Sequence, residues 1–402
     1  MNVTSIEVLR APVARQQPQW EDPEQVNQVR DVLAALPPLV EAESLSRLSG
    51  LLAGVAAGRA QVVQAGDCAE DPAECTAGDV ERKTGLLNVL AGVMNAITHQ
   101  PVVRVGRIGG QYAKPRSALT EWVGGVELPV YRGHMVNGPE PDPEARRHDP
   151  RRLLSGYRAA SQVMANLGQT PRARIDPAVW TSHEALLLDY EIPMLRPDRE
   201  GRLALTSTHW PWIGERTRQL EGAHVAMLAE VVNPVACKVG PRMTVAELLG
   251  LCERLDPGKE PGRLTLIARM GADAATDLLP PLVRAVRAAG HPVIWLVDPM
   301  HGNTVTTADG RKTRLVEMIV REVTAFQTAV RAAGGTPGGI HLETTPDPVT
   351  ECADAANDID RISDKYTTLC DPRLNPRQAV SVVSAWRTQT MTNRAEGETW
   401  RA

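Results

Sequence analysis

The sequence predicts an α/β protein built as a (β/α)8 barrel with a short N-terminal helical extension. Short apolar runs recur between residues 61 and 343, and each ends in glycine or a polar residue. Continuous apolar runs of this length are typical of strands buried on both faces. Segments with helical spacing separate them, and eight strands alternating with helices favour right-handed βαβ units that close into a barrel. A doubly wound open sheet is the alternative fold.

The chain begins with a segment that precedes this alternation. Pro23 to Ala35 has the spacing of an amphipathic helix, and Asp22 is placed to cap its first turn. Leu45 to Arg59 predicts a second, short apolar helix. This segment is expected to cover one end of the barrel, and a contact between subunits is the alternative.

Eight strands are predicted after that segment. In chain order they are Gln61–Cys68, Val102–Gly110, Ala178–Glu184, Leu203–His209, Val235–Gly240, Leu264–Gly271, Val293–Asp298 and Gly339–Glu343. The helices predicted between them are Asp79–Thr98, Arg152–Leu167, Glu215–Val232, Val245–Leu255, Ala274–Ala289, Thr313–Ala333 and Val349–Ala356. After the seventh strand, Pro299 cannot extend the ladder, so His301 is delivered just beyond a buried strand.

Composition limits the classes of function and the number of domains. The 402 residues carry a net charge of −4 and a pI near 6.2, so neither nucleic acid nor an anionic membrane is expected as a partner. Six scattered cysteines without a Cys-x-x-Cys pair fit a reducing compartment. With no membrane-length apolar run and no signal-peptide pattern, a cytoplasmic protein is expected. We divide the chain into an extension (residues 1–48), the barrel (49–390) and a tail (391–402).

Polar residues collect where the predicted strands end. Seven of them lie at or just past the carboxyl end of a different strand: Cys68, Arg107, Glu184, Lys238, Arg269, His301 and Glu343. These ends meet at one rim of a parallel barrel, and that rim is where barrels of this kind build their active sites. The sequence therefore predicts a functional site at the rim.

One group of rim residues has the chemistry of a metal site. Cys68, His301 and Glu343 offer a thiolate, an imidazole and a carboxylate, and we add Asp371 from the segment Cys370-Asp-Pro-Arg373. A mixed S, N and O set suits a divalent transition metal such as Mn, Co, Fe or Zn better than Mg or Ca. Ligands from distant strands are more typical of a catalytic site than of a structural finger. The alternative is that Cys68 is a small apolar core residue and His301 an ordinary turn residue.

A second group near the rim is cationic. Its members are Arg107, Lys114, Arg116, Arg216, Lys238 and Arg269. Lys238 and Arg269 lie on otherwise apolar strands, where an unpaired charge is costly. Such a group can capture phosphate or carboxylate anions, which arginine binds with two parallel hydrogen bonds. Ion pairs inside the barrel, with Glu215 for example, are the alternative.

The motifs together resemble the type II 3-deoxy-D-arabino-heptulosonate 7-phosphate (DAHP) synthases. The resemblance spans about residues 60 to 376 in consistent order. Matching stretches include Gly66-Asp-Cys-Ala-Glu70, Arg107-Ile-Gly-Gly-Gln-Tyr-Ala-Lys-Pro-Arg-Ser117, Trp212-Ile-Gly-Glu-Arg216, Lys238-Val-Gly-Pro241, Arg269-Met-Gly271, Asp298-Pro-Met-His-Gly-Asn-Thr304, Gly338-Gly-Ile-His-Leu-Glu343 and Cys370-Asp-Pro-Arg-Leu-Asn375. The resemblance implies a TIM barrel and a transferase that opens the shikimate pathway, joining phosphoenolpyruvate, D-erythrose 4-phosphate and water into DAHP and phosphate.

The resemblance also implies roles for residues of this chain. The implied ligands of a divalent metal (Mn²⁺, Co²⁺ or Zn²⁺) are Cys68, His301, Glu343 and Asp371. The implied phosphoenolpyruvate pocket consists of Arg107, Glu215, Arg216, Lys238 and Arg269. Arg116 and Ser117 would hold the phosphate of erythrose 4-phosphate, and Lys114 would lie between the substrates. Lys238 is the candidate proton donor or shuttle, and Lys114, Lys238 and Glu215 are the catalytic candidates.

The chain departs from the feedback-regulated members of that family. Its stretch between Ser117 and Trp180 is compact and lacks two obvious added helices. This short form implies service to a secondary-metabolite pathway, and leaves feedback by aromatic amino acids open. An amino analogue of erythrose 4-phosphate is the alternative acceptor, and a catalytically idle binding homologue is the alternative of another class. Small-molecule substrates and a homo-oligomer are the expected partners, while the roles of His183, Glu184 and His209 stay open.

Overall fold

Eight parallel strands form the centre of the protein. The structure is a computed structural model that describes residues 13–169 and 179–387. In chain order the strands are β1 (Gln61–Gly66), β2 (Val102–Arg107), β5 (Trp180–Thr181), β8 (Trp212–Ile213), β9 (Val235–Val239), β10 (Leu264–Ala268), β11 (Ile294–Val297) and β14 (Pro337–Glu343). They pair in the order β5-β2-β1-β14-β11-β10-β9-β8.

Hydrogen bonds between the two outer strands close the ring. Just after β5, Glu184 forms a parallel bridge with Trp212 of β8. The backbone N–H of Trp212 donates to the carbonyl of His183 at 3.1 Å, and that of Ala185 donates to the carbonyl of Trp212 at 3.0 Å. The predicted barrel is therefore confirmed.

Helices and three small hairpins surround the barrel. The helices are α1 (Pro23–Ala35), α2 (Ala42–Ala56), α3 (Ala77–Thr98), α4 (Arg152–Gln169), α5 (Leu188–Glu191), α6 (Ala223–Glu230), α7 (Val245–Leu255), α8 (Ala275–Ala288), α9 (Val316–Ala332) and α10 (Pro376–Val383). The hairpins are β3–β4 (Thr120–Val123, Val126–Pro129), β6–β7 (Leu195–Pro197, Leu203–Leu205) and β12–β13 (Thr304–Thr306, Lys312–Arg314). None of the helices in the described residues is long and apolar enough to span a membrane.

The prediction of the fourth barrel strand was wrong. Leu203–Leu205 pairs antiparallel with β6 in a hairpin outside the barrel, and Trp212–Ile213 takes the fourth place in the ring. A short apolar run suits a hairpin as well as a barrel strand, so periodicity alone could not separate them. The third strand is shorter than predicted, and Ala178, its predicted first residue, lies outside the described residues.

Two helix predictions also need correction. The segment predicted to begin a helix at Glu215 forms turns, and helix α6 begins only at Ala223. The segment Val349–Ala355 is not helical, and a 3-10 turn follows at Ala356–Arg361. The other predicted helices agree with the structure to within a few residues, and Val245–Leu255 coincides with α7.

The N-terminal helices pack onto the barrel. Asp22 caps α1 by accepting hydrogen bonds from the backbone of the first helical turn, as predicted. Leu48, Leu52 and Val55 of α2 are fully buried in a cluster that includes Val62 of the first barrel strand, so α2 covers the barrel interior at the N-terminal ends of the strands. The division into extension, barrel and tail stays a proposal, since α2 crosses the boundary at residue 48 and the tail lies outside the described residues.

Candidate active site

A cavity of about 710 Å³ opens at the carboxyl ends of the barrel strands. Among the described residues, eight cationic side chains and four carboxylates line it. The cations are Arg107, Lys114, Arg116, Arg216, Lys238, Arg242, Arg269 and Lys312, and the carboxylates are Glu121, Glu184, Glu215 and Asp371. The surplus of positive charge attracts anions, and the volume suits small molecules.

The four predicted metal ligands lie together beside this cavity. Ligand atoms of Cys68, Glu343 and Asp371 all lie within 4.8 Å of one another. His301 Nε2 lies 3.3 Å from Glu343 Oε1. The thiol of Cys68 lies 3.6 Å from Asp371 Oδ2. A sulfur, a nitrogen and two carboxylates thus converge from four separate loops or strand ends.

A buried carboxylate orients the His301 ring. His301 Nδ1 lies 2.7 Å from Asp298 Oδ2, and this leaves Nε2 facing Glu343. Burial would raise the pKa of Asp298, but the neighbouring His301 and Lys238 hold that pKa well below its usual range. Histidines that bind metals are commonly oriented by a carboxylate in this way.

The charges around the cluster fit a divalent transition metal. Burial would raise the pKa of Glu343, but His301, Lys114 and Arg314 hold it well below its usual range, so the buried carboxylate stays ionised. Burial raises the pKa of the Cys68 thiol, and a coordinating cation would reverse this by taking the sulfur as thiolate. The donor set of sulfur, imidazole and carboxylates is that of Mn, Fe, Co or Zn sites.

A buried ion network fixes two of the predicted ligands relative to each other. Arg373 Nη1 donates to Asp67 Oδ1 at 2.8 Å. Its guanidinium also binds Glu351 with two hydrogen bonds, of 2.7 Å to Oε1 and 3.0 Å to Oε2. Asp67 adjoins Cys68 in the chain and Arg373 closely follows Asp371, so the network holds the two ligand-bearing loops together.

Arg107 lies at the end of β2, within a chain of buried polar groups. Its Nη2 donates to Glu343 Oε1 at 3.1 Å, and its Nη1 donates to His341 Nε2 at 3.0 Å. His341 Nδ1 donates to Gln64 Oε1 at 2.7 Å, and burial, with nearby cations, holds the pKa of His341 well below its usual range. The neutral ring can therefore accept from Arg107. The guanidinium also lies 5.3 Å from the centre of the Trp212 ring.

Close approach of β1 and β2 at this end requires glycine. Gly66 has a φ of 152°, and a Cβ atom there would lie 2.5 Å from the Arg107 carbonyl oxygen. Beyond β2, the carboxylate of Glu70 accepts three backbone N–H groups from residues 109–111, at 2.7 to 2.8 Å. These contacts set the course of the loop that leads to Lys114 and Arg116.

Lys114 lies between the metal-type cluster and the cavity. Its Nζ is 3.5 Å from Glu343 Oε1 and 3.8 Å from Asp371 Oδ2. Burial alone would lower the pKa of Lys114, but Cys68, Glu343 and Asp371 together raise it. Lys114 is therefore a fixed cation at this position.

Two of the predicted phosphoenolpyruvate residues, Lys238 and Arg269, also line the cavity. Lys238 forms an ion pair with Asp298. The alternative prediction, an ion pair inside the barrel, is therefore correct for Lys238, but the partner is Asp298 and not Glu215. Burial lowers the pKa of Lys238 to about 8, although Asp298 acts in the opposite direction. Arg269 donates to the carbonyl of His301 at 2.8 Å, and no carboxylate in the described residues lies within ion-pair distance of it.

The remaining predicted residues gather at the mouth. Glu215 accepts from Arg218 at 2.9 Å, and its other oxygen is buried without a hydrogen-bond partner among the described residues. Arg216 Nη2 donates to Ser117 Oγ at 2.7 Å, which joins a residue predicted for the phosphoenolpyruvate pocket to one predicted for the phosphate of erythrose 4-phosphate. Arg116 Nη2 lies 3.7 Å from Glu121 Oε2, so these two side chains form an ion pair.

The three residues left open by the sequence separate into two kinds. His183 binds Glu191 at 2.9 Å and is buried, and His209 binds Thr181 Oγ1 at 2.8 Å with its pKa lowered to about 4 by burial. Both are structural in these contacts. Glu184 lines the cavity, and burial raises the pKa of its carboxyl group.

Sequence reasoning missed several side chains that complete the site. Arg314 is fully buried and donates to Glu343 Oε2 at 2.8 Å. Asp298 and His341 lie inside quoted motifs, but received no role there. Arg242 lines the cavity, and among the described residues it has no ion-pair partner. For Asp298 and His341 the available signal was their position beside His301 and Glu343, at the ends of otherwise apolar runs, whereas nothing local indicated Arg314.

Comparisons with known proteins agree on one family. The model of the class-II DAHP synthetase family matches residues 4–176 and 162–385. The chain is 57% identical over 378 residues to a probable phospho-2-dehydro-3-deoxyheptonate aldolase of Pseudomonas fluorescens, covering 93% of this chain and 94% of that protein. It is 41% identical over 425 residues to a phospho-2-dehydro-3-deoxyheptonate aldolase of Mycolicibacterium smegmatis, covering 92% and 91% of the two chains.

A solved structure supports the fold. The phospho-2-dehydro-3-deoxyheptonate aldolase from Francisella tularensis superposes with a TM-score of 0.52 at 12% identity, covering 94% of this chain and all of the other. At that identity the likeness concerns the barrel alone.

Proposed function

The chain belongs to the class-II DAHP synthetase family, and from that premise we propose that it condenses phosphoenolpyruvate with D-erythrose 4-phosphate and water, giving DAHP and inorganic phosphate. Its relatives are named phospho-2-dehydro-3-deoxyheptonate aldolases, so the chain is a DAHP synthase, a transferase. The observation that carries the choice of substrates is the cavity itself. A surplus of cations, suited to two phosphates and a carboxylate, adjoins a Cys-Glu-Asp cluster suited to a metal, with His301 3.3 Å from its glutamate.

In this proposal, Arg107, Lys238 and Arg269 hold phosphoenolpyruvate. The guanidinium of Arg269 has no carboxylate partner in the described part of the chain, so it is available to an incoming anion. Arg107 and Lys238 both face Trp212, at 5.3 and 6.0 Å from the ring centre, and both are buried. Held cations in a water-poor pocket bind anions strongly and restrict their orientation, which aligns the nucleophilic carbon.

We assign the acceptor to the other end of the cavity. Arg116 and Ser117 would hold the phosphate of the aldose, and Arg216 reaches the same place through its hydrogen bond to Ser117. Lys114 lies between this end and the cluster, and it puts a fixed positive charge near the carbonyl that must become an alkoxide.

Cys68, His301, Glu343 and Asp371 would hold a divalent metal, which would act as a Lewis acid on the aldehyde carbonyl. Carbon C3 of phosphoenolpyruvate forms a bond to the aldehyde carbon, water adds at C2, and the C2–O bond to phosphate breaks. One proton of the water ends on the former aldehyde oxygen, and the other leaves with the phosphate as C2 becomes a ketone. Lys238, with its pKa near 8, can hold or release a proton close to neutral pH, so we assign the shuttle to it.

The reaction is tested by following the loss of phosphoenolpyruvate with and without erythrose 4-phosphate. We expect consumption only when both are present, with one phosphate released for each phosphoenolpyruvate consumed. An amino analogue of the aldose phosphate, run in the same assay, tests the alternative acceptor. Equal phosphoenolpyruvate loss without any aldose phosphate would contradict the proposal.

The metal is tested separately by chelation and by a matched pair of cysteine variants. We expect EDTA to abolish turnover, and Mn²⁺ or Co²⁺ to restore it. Cys68→Ser should lose metal binding, measured calorimetrically, whereas Cys75→Ser, which lies outside the cluster, should retain it. Full activity after exhaustive chelation would show that the cluster has another purpose.

We further propose a cytoplasmic homo-oligomer that serves a secondary-metabolite pathway. All six cysteines are free, which suits a reducing compartment. Trp122 and Leu119, near the β3–β4 hairpin, are 73% and 74% exposed, which is typical of a surface that a second subunit covers. Residues 118–169 contain the single helix α4, as in a short form. Sedimentation velocity tests the assembly, and turnover with added Phe, Tyr or Trp tests feedback.

A further inference from the structure

An N-terminal segment, residues 13–20, lies across loops that border the cavity. Its first described residue, Val13, accepts a hydrogen bond from the backbone N–H of Ala223 at 3.2 Å, where the loop carrying Arg216 ends. Gln17 donates to the Leu186 carbonyl at 2.8 Å. The segment is thus attached at both sides of Gln16.

Gln16 joins this segment to the loop of the predicted acceptor site. Its side-chain Oε1 accepts the backbone N–H of Arg116 at 2.8 Å, and its carbonyl oxygen accepts from the Arg132 guanidinium. Gln16 has a φ of 64°, a left-handed conformation that a residue with a side chain seldom adopts. In this conformation both oxygens of Gln16 face the segment that contains Arg116 and Arg132, and the two hydrogen bonds stabilise it.

Arg132 gives this arrangement an unbalanced charge. It is 5% exposed, its Nε is buried without a hydrogen-bond partner, and no carboxylate in the described residues pairs with it. Burial lowers the pKa of Arg132, and neighbouring Arg116 lowers it further. Two guanidinium groups held near each other repel, and a bound anion would relieve that repulsion. The backbone oxygen of Arg132 also accepts from the N–H of Lys114 at 2.8 Å.

We propose that Gln16 is a positioning residue for the aldose phosphate. By fixing the backbone at Arg116 and the guanidinium of Arg132, it keeps the segment from Lys114 to Ser117 in the form that binds a phosphate monoester. The inference rests on the proposed function, which assigns Arg116 and Ser117 to that phosphate. Gln16 lies before the first of the stretches that match the DAHP synthases, which begins at Gly66.

The test compares two glutamines of the same segment. Gln16→Ala removes the side-chain hydrogen bond to Arg116, whereas Gln19→Ala removes an exposed side chain that makes no hydrogen bond among the described residues. We expect Gln16→Ala to raise KM for erythrose 4-phosphate about three- to tenfold, the usual worth of one such hydrogen bond. KM for phosphoenolpyruvate and kcat should change less than about twofold, and Gln19→Ala should match the wild type.

A second measurement needs no turnover. The rise in unfolding temperature that erythrose 4-phosphate produces is recorded for the wild type and both variants. We expect this rise to be smaller for Gln16→Ala, while the ligand-free unfolding temperatures stay close. If the wild type turns over but Gln16→Ala binds the aldose phosphate normally, the positioning role is overturned and the proposed function stands. If no variant turns over but Gln16→Ala alone loses the ligand-dependent rise, the proposed function falls and the positioning role stands. Equal rises in KM for both substrates would indicate general disruption and would overturn the positioning role.

Discussion

Replacing Arg373 with methionine should cost the protein about 3 kcal/mol of unfolding free energy. Arg373 binds Glu351, which is fully buried, with two hydrogen bonds, and also binds buried Asp67. Removing one partner of a buried ion pair typically costs about 3 to 5 kcal/mol. We expect the lower end of this range because both carboxylates keep another partner after the substitution. Asp67 still has Lys83 at 3.1 Å, and Glu351 still accepts a hydrogen bond from the backbone N–H of Thr368 at 2.8 Å.

The assay is urea unfolding, with Arg377→Met as the matched control. Arg377 also pairs with a carboxylate, Asp354, but its side chain is 73% exposed, so its loss should cost less than about 1 kcal/mol. The double variant Glu351→Gln with Arg373→Met should recover part of the loss, because no buried charge is left unpaired. Equal costs for the two single variants would refute the claim that this network holds the ligand loops together.

Three further outcomes follow from particular contacts. Because the pKa of Lys238 is lowered to about 8, its charge is lost above that pH, so kcat/KM for phosphoenolpyruvate should fall there. In Lys238→Arg, whose guanidinium stays charged but cannot shuttle a proton, kcat should be low at every pH, while the affinity for phosphoenolpyruvate should no longer fall at high pH. A flat wild-type profile would contradict this. Asp298→Asn should weaken Mn²⁺ or Co²⁺ binding about 10- to 100-fold by calorimetry, because His301 Nδ1 loses its carboxylate, and unchanged affinity would refute that orienting role. Leu52→Ala should lower the unfolding free energy by about 2 to 5 kcal/mol, whereas Leu51→Ala, at a 41% exposed position, should cost little, and equal costs would mean that α2 does not seal the barrel.

The sequence was sufficient for the barrel but not for every strand in it. Runs such as Val235–Val239, which is apolar except for Lys238, and Ile294–Val297, which is apolar throughout, are buried on both faces, so local pattern identifies them. Trp212–Ile213 has only two residues between Pro211 and Gly214, and its pairing with β9 is what makes it a strand. No local pattern carries that information.

Some residues of the candidate site could likewise be predicted from the sequence, and others could not. Lys238, His301 and Glu343 could be predicted because each polar residue ends an apolar run, and the barrel brings those ends together. The partners of these residues could not, since Arg314 with Glu343 and Asp298 with Lys238 are ion pairs between distant segments. Asp371 follows no predicted strand; it was chosen for its segment, Cys370-Asp-Pro-Arg373, and the resemblance to DAHP synthases implies the same ligand.

The most direct test of the central claim is the reaction run in ¹⁸O-water, with the released phosphate examined by ³¹P NMR. Water that adds at C2 leaves the bridging oxygen on phosphate, so we predict unlabelled phosphate, formed in a one-to-one ratio with DAHP and only with erythrose 4-phosphate present. Phosphate that carries ¹⁸O would show attack at phosphorus, and phosphate that appears without the aldose phosphate would show hydrolysis of phosphoenolpyruvate alone. Either result would contradict the account of this cavity as a site of carbon–carbon bond formation.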